Sequence, residues 1–147
     1  MMKPIRCAQW LLTSSLLLFS TMVLAIDVPA VFSDHAVLQR DLDLPVWGTG
    51  APGTEVSVSF AGQQKSTQVD DHGQWSVILD PVPASAEGRS MTIVGSDGTI
   101  EVKDILVGEV WLCGGQSNME WPLRSSMNAD QEIAAGDLPW LRRIKAP

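Results

Sequence analysis

Polar and apolar positions alternate in short runs between residues 26 and 103. In residues 54–60, Val56, Val58 and Phe60 fall on one face. In residues 74–79, Trp75, Val77 and Leu79 do the same. Residues 91–94 and 100–102 repeat the period, which is that of a strand with one buried face. Between these runs lie Ala51-Pro52-Gly53, Ala61-Gly62-Gln63, Asp70-Asp71-His72-Gly73 and Ser96-Asp97-Gly98. Each places Gly or Pro where a turn needs an unusual or preset φ. Strands at this spacing predict an antiparallel, sandwich-like β module over residues 26–103.

The texture changes at Asp104. Ile105-Leu106-Val107 and Val110-Trp111-Leu112-Cys113 are apolar without alternation, as expected of strands buried on both faces of a parallel sheet. Gly114-Gly115 ends the second run. Residues 126–135 are expected to be helical, with Asn128 as N-cap and Gly136 as the stop. Residues 141–145 would open a further strand. Residues 104–147 therefore read as the start of an α/β domain.

The first 25 residues read differently. Lys3 and Arg6 precede an apolar stretch densest over residues 16–24, and Val23-Leu24-Ala25 gives a small-residue cleavage pattern. This is the order of a secretory signal peptide. Thr13-Ser14-Ser15 interrupts the run, and a spanning helix needs about 20 mostly apolar residues. A secreted or periplasmic location is expected, with no membrane attachment after cleavage.

Cleavage after Ala25 would leave 122 of the 147 residues. Loss of Lys3 and Arg6 reduces the 10 cations to 8 against 17 acids, a net charge of −9. Such a surface disfavours nucleic acid and anionic membranes. Cys113 then has no partner within the chain and reads as a small buried hydrophobe. The sequence shows no Cys or His cluster at metal-ligand spacing. No metal or cofactor is expected, and the oligomeric state is left open.

The chemistry-bearing segment is Gly114-Gly115-Gln116-Ser117-Asn118-Met119-Glu120. A serine after a buried strand and a glycine pair is lifted to the sheet edge, where glycine lets substrate approach the backbone. A helical turn starting at Ser117 would aim free N–H groups at a developing oxyanion. Gly-x-Ser-x-Gly, the lipase elbow, is not present, because position 119 is Met. A Gly-Gly turn with Ser as a helix cap accounts for the same residues without catalysis. His35 and His72 read as structural, since nothing places either beside Ser117. Glu120 reads as a surface or capping residue. Trp47, Trp75 and Trp111 read as core, while Trp121 and Trp140 are open between packing and sugar stacking.

The segment from Gly108 to Met119, Gly-Glu-Val-Trp-Leu-Cys-Gly-Gly-Gln-Ser-Asn-Met, resembles the nucleophile block of the sialate O-acetylesterase family of SGNH-type hydrolases. Asp34-His35-Ala36-Val37-Leu38-Gln39-Arg40, Val46-Trp47-Gly48 and Gly73-Gln74-Trp75 resemble that family's β module. The resemblance implies a three-layer α/β esterase domain, truncated here, that removes O-acetyl groups from sialic acid or related sugars. It makes Ser117 the nucleophile, its backbone N–H an oxyanion donor, and Gly115, Gln116 and Asn118 supports of the turn. The superfamily's base is a His shortly after an Asp near the domain's C-terminus. No such pair follows Ser117, so the chain alone is expected to be inactive. A non-catalytic carbohydrate-binding β-sandwich is the alternative reading.

Overall fold

The computed structural model describes residues 25–145. The expected leader, Ala25 apart, lies outside the described residues. Seven strands form: β1 (Val37–Gln39), β2 (Leu44–Thr49), β3 (Glu55–Phe60), β4 (Gln63–Gln68), β5 (Gln74–Leu79), β6 (Ser85–Gly95) and β7 (Gly98–Gly108). They build a five-stranded sheet in the order β1-β7-β6-β3-β4 and a two-stranded sheet of β2 and β5.

The alternating runs fold as their period requires. Val56, Val58 and Phe60 of β3 meet Trp75, Val77 and Leu79 of β5 in one core. Met91 and Ile93 of β6 and Val102, Ile105 and Val107 of β7 complete it. All four expected turns lie between strands or beside them. Ala61 and Gly62 both adopt positive φ, 50° and 81°, joining β3 to β4. A two-residue loop of that kind matches the right-handed twist of the strands it joins. β2 crosses Trp75 so closely that a Cβ on Gly48 would lie 2.1 Å from the Asp27 carbonyl oxygen and 2.7 Å from the indole ring.

Several expectations change. The pairing is not wholly antiparallel: β1 runs parallel to β7, with Val37 beside Leu106 and Gln39 beside Gly108. Asp104 marks no break in the fold. β7 runs straight through it, and Ile105, Leu106 and Val107 are buried with the strands before them. Their unbroken apolar run reflects burial against β1 and β6 together with the core. Residues 110–113 are not a buried strand. Trp111 is 81% and Leu112 99% exposed. After Gly108 the chain leaves the sheet, and no described strand lies beside these residues to pair with them.

The expected helix forms as α1 (Ala129–Ala134). Asn128 stands at its N-cap in a left-handed conformation, φ 59°, and its side chain makes no capping bond. Its carbonyl oxygen instead accepts from the Gln131 and Glu132 N–H groups, at 3.1 Å each. Residues 141–145 form no strand. Cys113 and Trp111 are exposed rather than buried. Trp47 is 43% exposed, because it occupies an outward position of β2 while Val46 points into the core.

Candidate functional site

Ser117 opens a 3-10 turn that runs to Glu120. Gln116 before it is extended, with φ −102° and ψ −157°, and its carbonyl oxygen accepts from the Met119 N–H at 2.9 Å. Trp121 N–H closes onto the Asn118 carbonyl oxygen at 3.2 Å. The turn is short because Pro122 follows Trp121 and cannot continue it. Its first donors have no intrahelical acceptor, and the Ser117 N–H bonds to no other described residue. Gly114 and Gly115 precede the turn outside any helix or strand. A Cβ on Gly115 would stand 2.7 Å from Cγ of Met119, which folds back over the glycine. All seven residues of the 114–120 segment are exposed.

Among the described residues no side chain hydrogen-bonds the Ser117 hydroxyl. Glu120 turns to Lys145 Nζ at 3.1 Å, an ion pair with both partners well exposed. His72 lies in a turn in which the Asp70 carboxylate accepts from its backbone N–H at 2.9 Å. His35 is engaged elsewhere: its Nδ1 lies 2.6 Å from Oδ2 of Asp104. Asp34, its neighbour in sequence, instead accepts from the Lys103 N–H at 2.7 Å. Gln116 caps the turn that Ser117 opens, Asn118 is its second residue, and Gly115 precedes it in the chain.

The His35–Asp104 contact belongs to a charged cluster that the sequence did not announce. Arg142 Nη2 donates to Asp104 Oδ2 at 2.8 Å, and Nη1 donates to the Asp104 carbonyl oxygen. Nη1 also approaches the Ala36 carbonyl oxygen at 3.5 Å. The Arg142 side chain is only 18% exposed. Hydrogen bonding by His35, and then the charge of Arg142, hold the Asp104 carboxyl below its ordinary range against an opposing desolvation. Both His35 and Asp104 adopt positive φ, 67° and 55°. Gly88 makes room at the irregular stretch of β6: a Cβ there would stand 2.0 Å from Oδ1 of Asp104. No signal in the sequence links positions 35, 88, 104 and 142, since they come from separate elements.

No cluster of three or more metal-ligating side chains occurs among the described residues. Among them, too, no helix is long and apolar enough to cross a membrane.

No family model matches the chain. It is similar to sialate O-acetylesterase from Homo sapiens, 38% identical over 112 residues, covering 69% of this chain and 21% of that protein. Its similarity to sialate O-acetylesterase from Mus musculus is 35% over 111 residues, covering 69% of this chain and 20% of that protein. A crystal structure of a carbohydrate acetylesterase from Xanthomonas citri superposes with a TM-score of 0.72 at 41% identity, covering 77% of this chain and 26% of that one. The chain thus spans about a fifth of the length of the curated relatives it matches. Over 69% of its length it is a homologue of the sialate O-acetylesterases.

Proposed function

We propose that the chain is part of a secreted or periplasmic carbohydrate esterase. It would hydrolyse O-acetyl esters on sialic acid or related sugars, with Ser117 as nucleophile. The observation that carries this reading is the similarity to acetylesterases in both sequence and structure, joined to an exposed Ser117 at the start of a turn. In the reaction, Ser117 Oγ attacks the acetyl carbonyl carbon while a base takes the hydroxyl proton. The Ser117 N–H donates to the oxygen on which charge develops. The sugar alcohol then leaves with a proton, and water hydrolyses the acetyl-serine. Gly115, Gln116 and Asn118 shape the turn, and no cofactor enters these steps.

The β strands up to Gly108 are read as a sandwich-like module, and residues after it as the beginning of an α/β esterase unit. The exposure of Val110, Trp111, Leu112 and Leu141 supports the second part. An apolar run so open to water has the composition of a packed element without its packing.

The base is the missing part within the described residues. A serine hydroxyl near neutral pH needs one, and base assistance contributes about 10²–10⁴ in rate. His35 is bound to Asp104, and no described group is bonded to Oγ of Ser117. The 147-residue chain alone should therefore turn over p-nitrophenyl acetate no faster than its Ser117→Ala variant. Rapid turnover that the Ser117→Ala change abolishes would place a base inside this chain and overturn that expectation. In a longer chain that does hydrolyse acetylated sugars, the same substitution should abolish activity; survival of activity there would remove Ser117 as nucleophile.

A further inference from the structure

The β2–β5 pair borders a cleft of about 680 Å³ that the serine turn does not use, lined both by outward residues of these strands and by Gly48 and Trp75. In the register of these strands Trp47 stands beside Ser76, and Thr49 beside Gln74. All four alternate along their strands with the buried Val46, Gly48, Trp75 and Val77. Thr67 and Gln68 of β4 line the cleft with Asp70, and Asp27 lines it beside Thr49. The volume lies within the roughly 300–1,000 Å³ typical of small-molecule sites.

The walls are held by the fold. Asp27 and Thr49 exchange backbone hydrogen bonds of 3.0 and 2.9 Å. Asp70 Oδ1 accepts from the His72 and Gln74 N–H groups at 2.9 and 2.8 Å, fixing the opposite rim. The Trp47 ring is set edge-on to Phe32, with centroids 4.8 Å apart and planes at 79°. Its orientation is therefore fixed by packing although 43% of the residue is exposed. The side-chain amides of Gln68 and Gln74 and the hydroxyls of Thr67 and Ser76 form no hydrogen bond with another described residue.

We propose that this cleft binds a neutral sugar ring. A pyranose presents an apolar C–H face and a rim of hydroxyls. A fixed, half-exposed indole suits the first, since tryptophan combines a large apolar surface with a set geometry. The Gln74 amide, the Thr49 and Ser76 hydroxyls and the Asp27 and Asp70 carboxylates, with Gln68 on the β4 rim, supply donors and acceptors for the second. The charge of the wall selects among sugars: among the described residues, two aspartates and no cation line the cleft. An anionic sugar is repelled there, so the site holds a neutral residue of a glycan and not sialic acid itself. None of residues 114–120 lines it, and binding does not depend on hydrolysis.

The test is an amide and indole NMR titration of the full chain with N-acetyllactosamine, cellotetraose and xylotetraose in turn, and with N-acetylneuraminic acid as the anionic probe. At least one neutral sugar should give saturable shifts at the Trp47 indole and the Gln68 and Gln74 amides, and the anionic probe none. Trp47→Ala should weaken binding by about tenfold or more, equivalent to about 1.4 kcal/mol. Because Trp47 also touches Phe32, the double variant Gln68→Ala/Gln74→Ala, on exposed strand positions, should weaken it as well. Ser117→Ala should bind like the parent chain, which separates this site from the esterase reading. Absence of saturable shifts with all three neutral sugars, equal response to the anionic probe, or binding unchanged in the double variant would each overturn the proposal.

Discussion

Trp75 and Trp111 show how one residue type takes opposite roles. Trp75 is 3% exposed in the core, and its indole N–H donates to the Thr49 carbonyl oxygen at 3.1 Å. Trp75→Ala removes the ring and leaves a cavity, at a cost of about 3–5 kcal/mol. Trp111, 81% exposed, should cost no more than about 0.5 kcal/mol on the same change. Urea unfolding of both variants checks this; comparable losses would mean that Trp111 packs in solution. The period-two context made Trp75 legible, because Val77 and Leu79 mark the same face. Trp111 sits in an unbroken apolar run, which has no phase and gives no such information. Ser117 was legible through the motif that resembles the family's nucleophile block, but the exposure of the residues before it was not. The engagement of His35 by Asp104 is a three-dimensional fact that no motif announced.

At the scale of elements, β3, β5 and the alternating parts of β6 and β7 were readable, while the short β1, β2 and the polar β4 were not. β4 contains Gln63-Gln64-Lys65-Ser66-Thr67-Gln68 and carries no hydrophobic signal. It forms because the Ala61-Gly62 turn returns the chain along β3, and because side chains tie it to Asp80. Gln63 donates to the Asp80 carbonyl oxygen at 3.1 Å and accepts its N–H at 2.7 Å, while Lys65 reaches the carboxylate at 2.5 Å. The docking of residues 141–145 was likewise invisible, since it depends on Arg142 reaching across to β7. That clasp titrates. The Asp104 carboxyl is held below its ordinary range of about 3.9, chiefly by the His35 hydrogen bond and then by Arg142. A depressed carboxylate contributes its stabilisation above the unfolded value and loses it as pH falls through the lower folded value. The NMR shifts of residues 139–145 should therefore hold constant down to about pH 4 and move below it. Arg142→Ala should place them at the low-pH positions at every pH. A change already complete at pH 6 would show that Asp104 does not hold the segment.

At the scale of the molecule, stability and candidate chemistry reside in different stretches of chain. Every buried apolar residue among those described lies between Phe32 and Val107. Residues 109–145 add none, and those of them that touch the strands do so through a few polar contacts. Gln39 bonds Glu109 and Val110, and Arg142 bonds Asp104 and Ala36. Partly exposed ion pairs contribute about 0–1 kcal/mol each, far less than a shared core would. The apolar side chains of the segment face water, with Leu112 99%, Met127 87% and Leu141 73% exposed. A chain ending after Glu109 should therefore keep most of its unfolding midpoint, with a loss of no more than about 4–8 °C, the shift that about 1 kcal/mol produces in a domain of this size. It should also bind less anilinonaphthalene sulfonate, because the exposed apolar patch is gone. Thermal unfolding and dye fluorescence of the two chains give the answer. A loss of tens of degrees, or a body that no longer unfolds cooperatively, would show that residues 110–145 belong to the same folding unit as the strands. An undiminished dye signal would place the apolar surface on the strands instead.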